Sequence, residues 1–498
     1  MDELSRARTE LALLEEQALR ILKELLRVRA AVATQRAKVD ELIRTRPTAF
    51  NLLPTEILLS IFDFDVRVNY HPKRKYELAG VCRRWKDIIF DSASFWTTIH
   101  VVKSPSSIMT HLERSRGALL DIVIEAPLQW CRSQHLALVP SLDTVVSSAH
   151  RWYKLSISGV YDFEDDEEDD SSNDMITRAG FIITRINRLQ FPSLKYVTIS
   201  YFDTSLDFLA PARAPALEHL ELSGLIAEHV DFPPVTALKT LSLDLYGIPL
   251  DYPLFPYLIP TQALTKLSVS GKLSRLPNST HFPSLKILEI SSVVEARQFI
   301  NAIMAPNLER FEYASDGSND LPSVALRGFR SKFASVRHLS FCGVELPYAD
   351  AIALCKAFPG VRHVESRTNE SPHFFDTEPS NARARRPINL WTELESLTLC
   401  GLGPKWLEPN QFSAWLVDRQ ALGLRKLHVK LEHLSGFDDL GRYPDVKFPR
   451  LYEVLKENCN LELVGFPLTL PTMHLYVTVN SGLRVVSTSF PYAGLYSL

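Results

Sequence analysis

The sequence predicts an α/β chain in three parts: an N-terminal coiled-coil helix, a small helical module, and an irregular repeat solenoid with a curved parallel sheet. Three observations predict it. Apolar residues keep a seven-residue period over residues 1–46, two short amphipathic stretches follow within residues 47–102, and one apolar phrase then recurs through most of residues 103–498.

The first part is read from its heptads. Leu4, Leu11, Ala18, Leu25, Val32 and Val39 hold one position, and Ala7, Leu14, Ile21, Val28 and Leu42 stand three residues later, with Gln35 as the interruption. No Gly or Pro falls in this stretch, and Arg, Glu and Lys fill much of the rest, as in a long helix with a coiled-coil seam. Such a seam needs a cover. A second copy of the chain, another helix, or the chain's own next domain would each supply one. Pro47 ends the helix, since proline lacks the amide donor and disfavours helical geometry before it.

The second part contains Leu53-Pro54-Thr55-Glu56-Ile57-Leu58-Leu59-Ser60-Ile61-Phe62, a polar link, and Val81-Cys82-Arg83-Arg84-Trp85-Lys86-Asp87-Ile88-Ile89. Ile57, Leu58, Ile61 and Phe62 fall at i, i+1, i+4 and i+5 as one apolar stripe, and Val81, Trp85, Ile88 and Ile89 make a second. About fifty residues can hardly cover this much apolar surface alone. A small bundle that packs the stripes internally is the plainer reading; a docking face is the functional one.

Leu53-Pro54-x-Glu56-Ile57-Leu58, then Val81-Cys82-Arg83-Arg84-Trp85, then Phe95-Trp96, resembles the F-box in the form often seen in fungal proteins. The resemblance covers about fifty of the residues. It implies docking on a Skp-type adaptor within a cullin-RING ubiquitin ligase, with Leu53, Pro54, Ile57, Leu58, Ile61, Val81, Cys82 and Trp85 facing that adaptor or supporting the face. The link over residues 65–76 departs from the family's Pro/Ser-rich or apolar turn, being charged and aromatic.

The third part repeats a phrase: an apolar residue, two variable, an apolar, one variable, an apolar. The clearest copies are Leu194-x-x-Val197-x-Ile199, Leu217-x-x-Leu220-x-Leu222, Leu238-x-x-Leu241-x-Leu243, Leu264-x-x-Leu267-x-Val269 and Leu285-x-x-Leu288-x-Ile290, their starts 21 to 26 residues apart. The series continues at Leu308, Val336, Val361, Leu394 and Leu424, and weaker copies begin at Trp96, Leu119 and Trp152. This is the leucine-rich-repeat core pattern, so the chain is similar to an F-box protein with a C-terminal leucine-rich-repeat-like domain. Residues two apart on a strand share a side, so the last two anchors lie under a short strand while the first fills the preceding bend. Stacking ten to thirteen such strands about 4.8 Å apart gives a concave face on the order of 50 Å long. Proline-bearing bends such as Phe191-Pro192-Ser193, Ala214-Pro215-Ala216 and Phe282-Pro283-Ser284 precede several strands. Apolar residues, Phe202 and Val293 among them, replace the usual Asn or Cys ladder, so the stack is expected to be irregular.

Alternating positions on the strands face outward, and these are the candidate client surface: Tyr196, His219, Glu221, Asp244, Lys266, Glu289, Arg310, Glu312, His338, His363, Arg367, Lys426 and His428. They run from mixed and partly acidic to basic, which suits an elongated partner bearing both charges; simple solvation is the bland alternative. Two insertions interrupt the repeats, an acidic loop at 162–174 and an arginine- and proline-bearing flexible loop at 369–389.

Composition closes off other classes. The chain has 498 residues, 46% hydrophobic and 23% charged, enough to bury more than one core. A net charge of -3 exerts no overall pull on nucleic acid or anionic membrane, so neither is an expected partner. Six scattered cysteines without a C-x-x-C pair fit reduced thiols in the cytoplasm or nucleus. No apolar run reaches about 18 residues, and the charged start lacks the apolar core of a signal peptide. Asn278-Ser279-Thr280 is then a chance sequon.

No phosphate loop, H-E-x-x-H pair or G-x-S-x-G elbow occurs. His338 and His363 would be neighbours on adjacent strands, but a metal needs three or four converging ligands, and no metal or other cofactor is expected. Cys82 stands in an apolar stripe rather than a nucleophile's setting. The expected role is that of a non-enzymatic substrate-recognition adaptor of an SCF-type ligase in the ubiquitin-conjugation pathway, the repeats holding a client protein. A non-ligase scaffold that self-associates through residues 1–46 is the alternative.

Overall fold

The computed structural model describes residues 2–45, 53–69, 73–101, 104–125, 133–158, 178–202, 204–225, 233, 235, 237–245, 260–272, 279–294, 296–314, 332–342, 347–367, 373–376, 386–400, 411–432 and 447–464. The chain divides into two compact units, Met1–Phe95 and Trp96–Leu498.

The first unit begins with α1 (Glu3–Thr45), one unbroken helix, as the heptads require. Its seam does not fold back on the module that follows. Leu4, Leu11, Leu14, Ile21, Leu25, Val28, Val32 and Val39 are all exposed, with Ile21 at 69%.

Three short helices make the module: α2 (Thr55–Asn69), α3 (Arg74–Ala79) and α4 (Arg83–Asp91). Pro54 stands just before α2, where its missing amide costs nothing, and its carbonyl accepts the first helical bond from the Leu58 amide at 3.2 Å. Leu58 and Phe62 of α2, Leu78 and Ala79 of α3, Ile89 of α4 and Phe95 are buried, and α2 packs against both other helices. The expected polar link at 65–76 is largely helical instead, because its charged residues pair with one another rather than with water. The Asp65 carboxylate accepts from Arg74 Nε at 2.6 Å and from Arg74 Nη2 at 3.2 Å. Lys75 is buried and donates to the Phe95 carbonyl at 2.8 Å, and Arg84 donates to the Leu53 carbonyl at 2.6 Å, which ties both ends of the module to its middle.

The second unit is built on one parallel sheet of 14 strands. In chain order the strands of the unit are β1 (Thr98–His100), β2 (Leu120–Glu125), β3 (Trp152–Ser158), β4 (Tyr196–Phe202), β5 (His219–Leu225), β6 (Thr240–Leu245), β7 (Lys266–Lys272), β8 (Thr280–His281), β9 (Ile287–Val294), β10 (Ile303–Met304), β11 (Arg310–Ala314), β12 (His338–Cys342), β13 (His363–Arg367), β14 (Ser396–Cys400), β15 (Leu427–Glu432) and β16 (Cys459–Val464). Apart from the separate β8–β10 ladder, each strand lies beside its chain neighbours. Parallel neighbours need a crossover of a dozen or more residues, which the repeat spacing supplies.

Register aligns the anchors. Leu155, Val197, Leu220, Leu241, Leu267, Leu288, Phe311, Leu339, Val364, Leu397 and Val429 form one continuous buried row, each opposite the next. Each such side chain is worth about 1.5–3 kcal/mol of burial, so the row is a large part of the core. The bends recur as well: the amides of Leu194, Leu217, Leu285, Leu308 and Leu394 bond to the carbonyls of Phe191, Ala214, Phe282, Ala305 and Trp391, closing a turn before each strand. Phe202 and Val293 are buried where an Asn ladder was not expected.

Four details differ from the sequence reading. Leu119 is exposed and Leu120 takes the buried place, because the β2–β3 register shifts between Leu120 and Asp121. Leu424 is exposed too, lying in the turn and approach that follow the helix Gln411–Ala421, three residues ahead of β15. On β13 the third anchor is Ser366, a small side chain that stays buried. And β16 was missed, since its Cys459, Leu461 and Leu463 lack a leading leucine and a proline bend.

The acidic loop at 162–174 lies outside the described residues. Within the expected flexible loop, Phe374 and Phe375 are buried, their rings 5.3 Å from Trp391 and 4.8 Å from Phe412, and Pro387–Leu390 forms a 3-10 turn. Aromatic burial overrides the polar composition there.

Candidate functional site

Two surfaces carry the residues singled out by the sequence. On the helical module, α2 splits its apolar residues between two faces. Leu58 and Phe62 point inward, whereas Ile57 and Ile61 are 48% and 43% exposed. The outward stripe continues to Phe64, 70% exposed, and Val68, at i+7 and i+11 from Ile57. Phe64 and Val68 were not among the candidates; the signal that finds them is the 57-61-64-68 spacing, hidden by the polar residues around them.

Val81 lies in the turn before α4 rather than on the helix, 61% exposed, and Cys82 beside it is exposed. Pro54 is exposed and Leu53 half-buried. Trp85 is half-buried with its ring 4.6 Å from Phe62. Pro54, Ile57, Ile61, Val81 and Cys82 are therefore open to a partner, while Leu58 and Trp85 hold the helices that present them. Four large apolar side chains in one exposed row are a feature of an interface rather than of a solvated helix.

The second surface is the outward side of the sheet. Register puts Lys154, Tyr196, His219, Thr240, Lys266, Ile287, Arg310, His338, His363, Ser396 and His428 in one row across the strands. Glu221, Ser242, Ser268, Glu289, Glu312, Ser340 and Glu365 form the next row, and Asp244 and Arg367 stand in a third. All of the client candidates except Lys426 thus share three adjacent rows. Lys426 precedes β15 and donates to the Glu457 carbonyl at 2.9 Å.

Several basic residues of this surface have an acid beside them. Lys266 pairs with Glu289 at 2.6 Å, Arg367 with Glu365 at 2.6 Å and His428 with Glu462 at 3.2 Å, while Arg310 pairs with Glu312 and Lys430 with Glu432. Strand spacing of about 4.8 Å and the two-residue repeat set Lys266, Arg310, Arg367 and Lys430 each beside an acid, which offsets these charges locally. Glu221 and Asp244 instead accept from hydroxyls, Thr198 at 3.3 Å and Ser270 at 2.9 Å.

Flat rings mark the same row. Tyr196 stacks on His219 with centroids 4.2 Å apart, and His338 stacks on His363 at 4.3 Å. His219 shares a hydrogen bond with the Thr240 hydroxyl at 2.6 Å, and His363 one with Ser396 at 2.7 Å. Burial first, then the neighbouring His363 and Arg310, lowers the His338 pKa below the usual histidine value. Burial likewise lowers that of His219.

Among the described residues no three His, Cys, Asp or Glu side chains converge as metal ligands. Cys400 is held as a thiol, its pKa pushed up to about 12 by burial and by its hydrogen bond to Glu432. Among the described residues no helix is long and apolar enough to cross a membrane.

No curated protein matches the chain. Residues 50–101 match the family described as F-box-like, whose members typically bind Skp-type adaptors and serve ubiquitin ligases; the chain carries an F-box-like domain, which supports its reading as an F-box protein.

Proposed function

We propose that the chain is a substrate receptor of an SCF-type ubiquitin ligase in the cytoplasm or nucleus. The observation that carries this reading is the exposed row Ile57, Ile61, Phe64 and Val68 inside the segment that matches the F-box-like family. In this reading the row and Val81 seat on the apolar face of a Skp-type adaptor, and a cullin-RING assembly joins through that adaptor. Burying four such side chains would supply several kcal/mol of apolar transfer, enough for a stable hot-spot cluster.

The sequential parallel sheet is read as an irregular leucine-rich-repeat solenoid, and its outward rows as the client surface. Because their ion pairs cancel locally, recognition would rest on hydroxyls, stacked rings and the carboxylates of Glu221 and Asp244 rather than on net charge. The chain would supply no catalytic group: it holds the client so that lysines come within reach of ubiquitin transfer.

Co-purification tests this. Wild-type chain expressed with a Skp-type adaptor should carry it through affinity capture, whereas a Leu53→Ala/Pro54→Ala variant should lose the adaptor and keep its client. A wild-type chain that never retains the adaptor rejects the reading.

A further inference from the structure

We infer that two copies of this chain associate through α1 as a parallel, in-register, two-stranded coiled coil. The inference is independent of the adaptor reading, since it rests on α1 alone. Within α1 the seam residues Leu11, Leu14, Ile21, Leu25, Val28 and Val32 are 46% to 69% exposed. A helix of 43 residues is about 65 Å long, and so long an apolar stripe left in water is strongly unfavourable.

The flanking charges and one polar seam residue choose the occupant. With Leu4 and its successors at position a and Ala7 and its successors at d, Glu3, Glu10 and Glu24 fall at g, and Arg8, Glu15 and Arg29 at e. In a parallel in-register pair each g faces the e five residues on in the other copy. Glu3 then meets Arg8 and Glu24 meets Arg29, each twice by symmetry, against the single repulsive match of Glu10 with Glu15. Glu24 has only a loose partner in its own helix, Arg27 at 4.0 Å.

Gln35 decides the direction. In the parallel pair it lies opposite its own copy, where two amides bond to each other across the seam. In the fully overlapped antiparallel pair it would lie opposite Leu11, its amide buried without a partner; the charges discriminate less, since there Arg8 would face Arg36 and Glu24 its own copy while Glu10 would meet Lys38 and Glu15 would meet Arg29. A single polar layer that is satisfied in one register and orphaned in the other is a register-fixing device. Each assembly would thereby carry two F-box-like domains and two client surfaces, so that a client with two binding segments gains by avidity.

Sedimentation equilibrium on the full chain reads the result. The wild type is expected at twice the chain mass. Leu11→Asp/Leu25→Asp, within the seam, should raise the dissociation constant at least about a hundredfold and give single chains, two such core losses exceeding 2.8 kcal/mol. Leu19→Asp/Leu26→Asp, equally exposed but off the seam, should leave the doubled mass unchanged. A single mass or a mass above two for the wild type overturns the inference, as does dissociation by the off-seam pair. For direction, oxidised Gln35→Cys should give a covalent dimer that reduction dissolves and that wild type does not form; its absence in a chain of doubled mass overturns the parallel register.

Discussion

Ile57 and Leu58 are adjacent in sequence and opposite in consequence. Leu58 is wholly buried between the helices, so Leu58→Ala should cost about 2–5 kcal/mol of stability, read from denaturant unfolding. Ile57→Ala should change stability by no more than about 0.5 kcal/mol while weakening adaptor binding about tenfold or more. If the two substitutions destabilise alike, the assignment of faces on α2 is wrong. Lys75 makes a second residue-scale test. Lys75→Met removes the donor to the Phe95 carbonyl and should cost about 1–3 kcal/mol, because a buried acceptor is left unsatisfied. His338 gives the pH dependence. Its folded pKa is lowered, so the unfolded chain binds the proton more readily. Its contribution to stability is full above the ordinary histidine value near 6.5 and is lost as pH falls through that value toward the lower folded one. Thermal midpoints should therefore fall between pH 7 and pH 5, and fall less in His338→Gln.

At the scale of elements, the repeat phrase made the sheet legible because its anchors must alternate to be buried. The middle anchor of each phrase found in the sequence lies on a strand, and register follows once Leu220, Leu241 and Leu267 must share a face. What stayed illegible has local causes. The β2–β3 register shift moved the anchor from Leu119 to Leu120, and β16 lacks the leucine and proline that flagged the others. The exposed apolar row of α2 was half legible: the resemblance brought Ile57 and Ile61 forward, but not Phe64 and Val68, which lie past the motif. The resemblance also named Leu58 and Trp85, as facing or supporting residues, and it took the packing to show that Leu58 is buried and Trp85 half-buried against Phe62. The cross-strand pairs of Lys266 with Glu289 and His428 with Glu462 could not be read without register, whereas Arg310 and Glu312, Glu365 and Arg367, and Lys430 and Glu432 stand two residues apart on one strand. One turn invites a test of its own. Gly224 has φ 62°, and a Cβ there would come 2.5 Å from the Tyr201 ring. Gly224→Ala should cost at least about 1–2 kcal/mol for the left-handed backbone, and adding Tyr201→Ala should recover the steric part only. Full recovery in the double variant, measured by unfolding, would contradict this.

At the scale of the whole molecule, the chain has two compact units: one presents an apolar helix face inside an F-box-like domain, the other a wide polar sheet surface with several of its charges paired, and the proposed function assigns adaptor and client to them separately. The division predicts that damage to one function leaves the other intact. The most direct measurement is a calorimetric titration of a purified Skp-type adaptor into the full chain. Wild type should bind one adaptor per chain, and Ile57→Asp/Phe64→Asp should abolish the heat of binding without moving the thermal midpoint. A wild-type chain that takes up no adaptor, or a variant that binds it as tightly as wild type, would contradict the account.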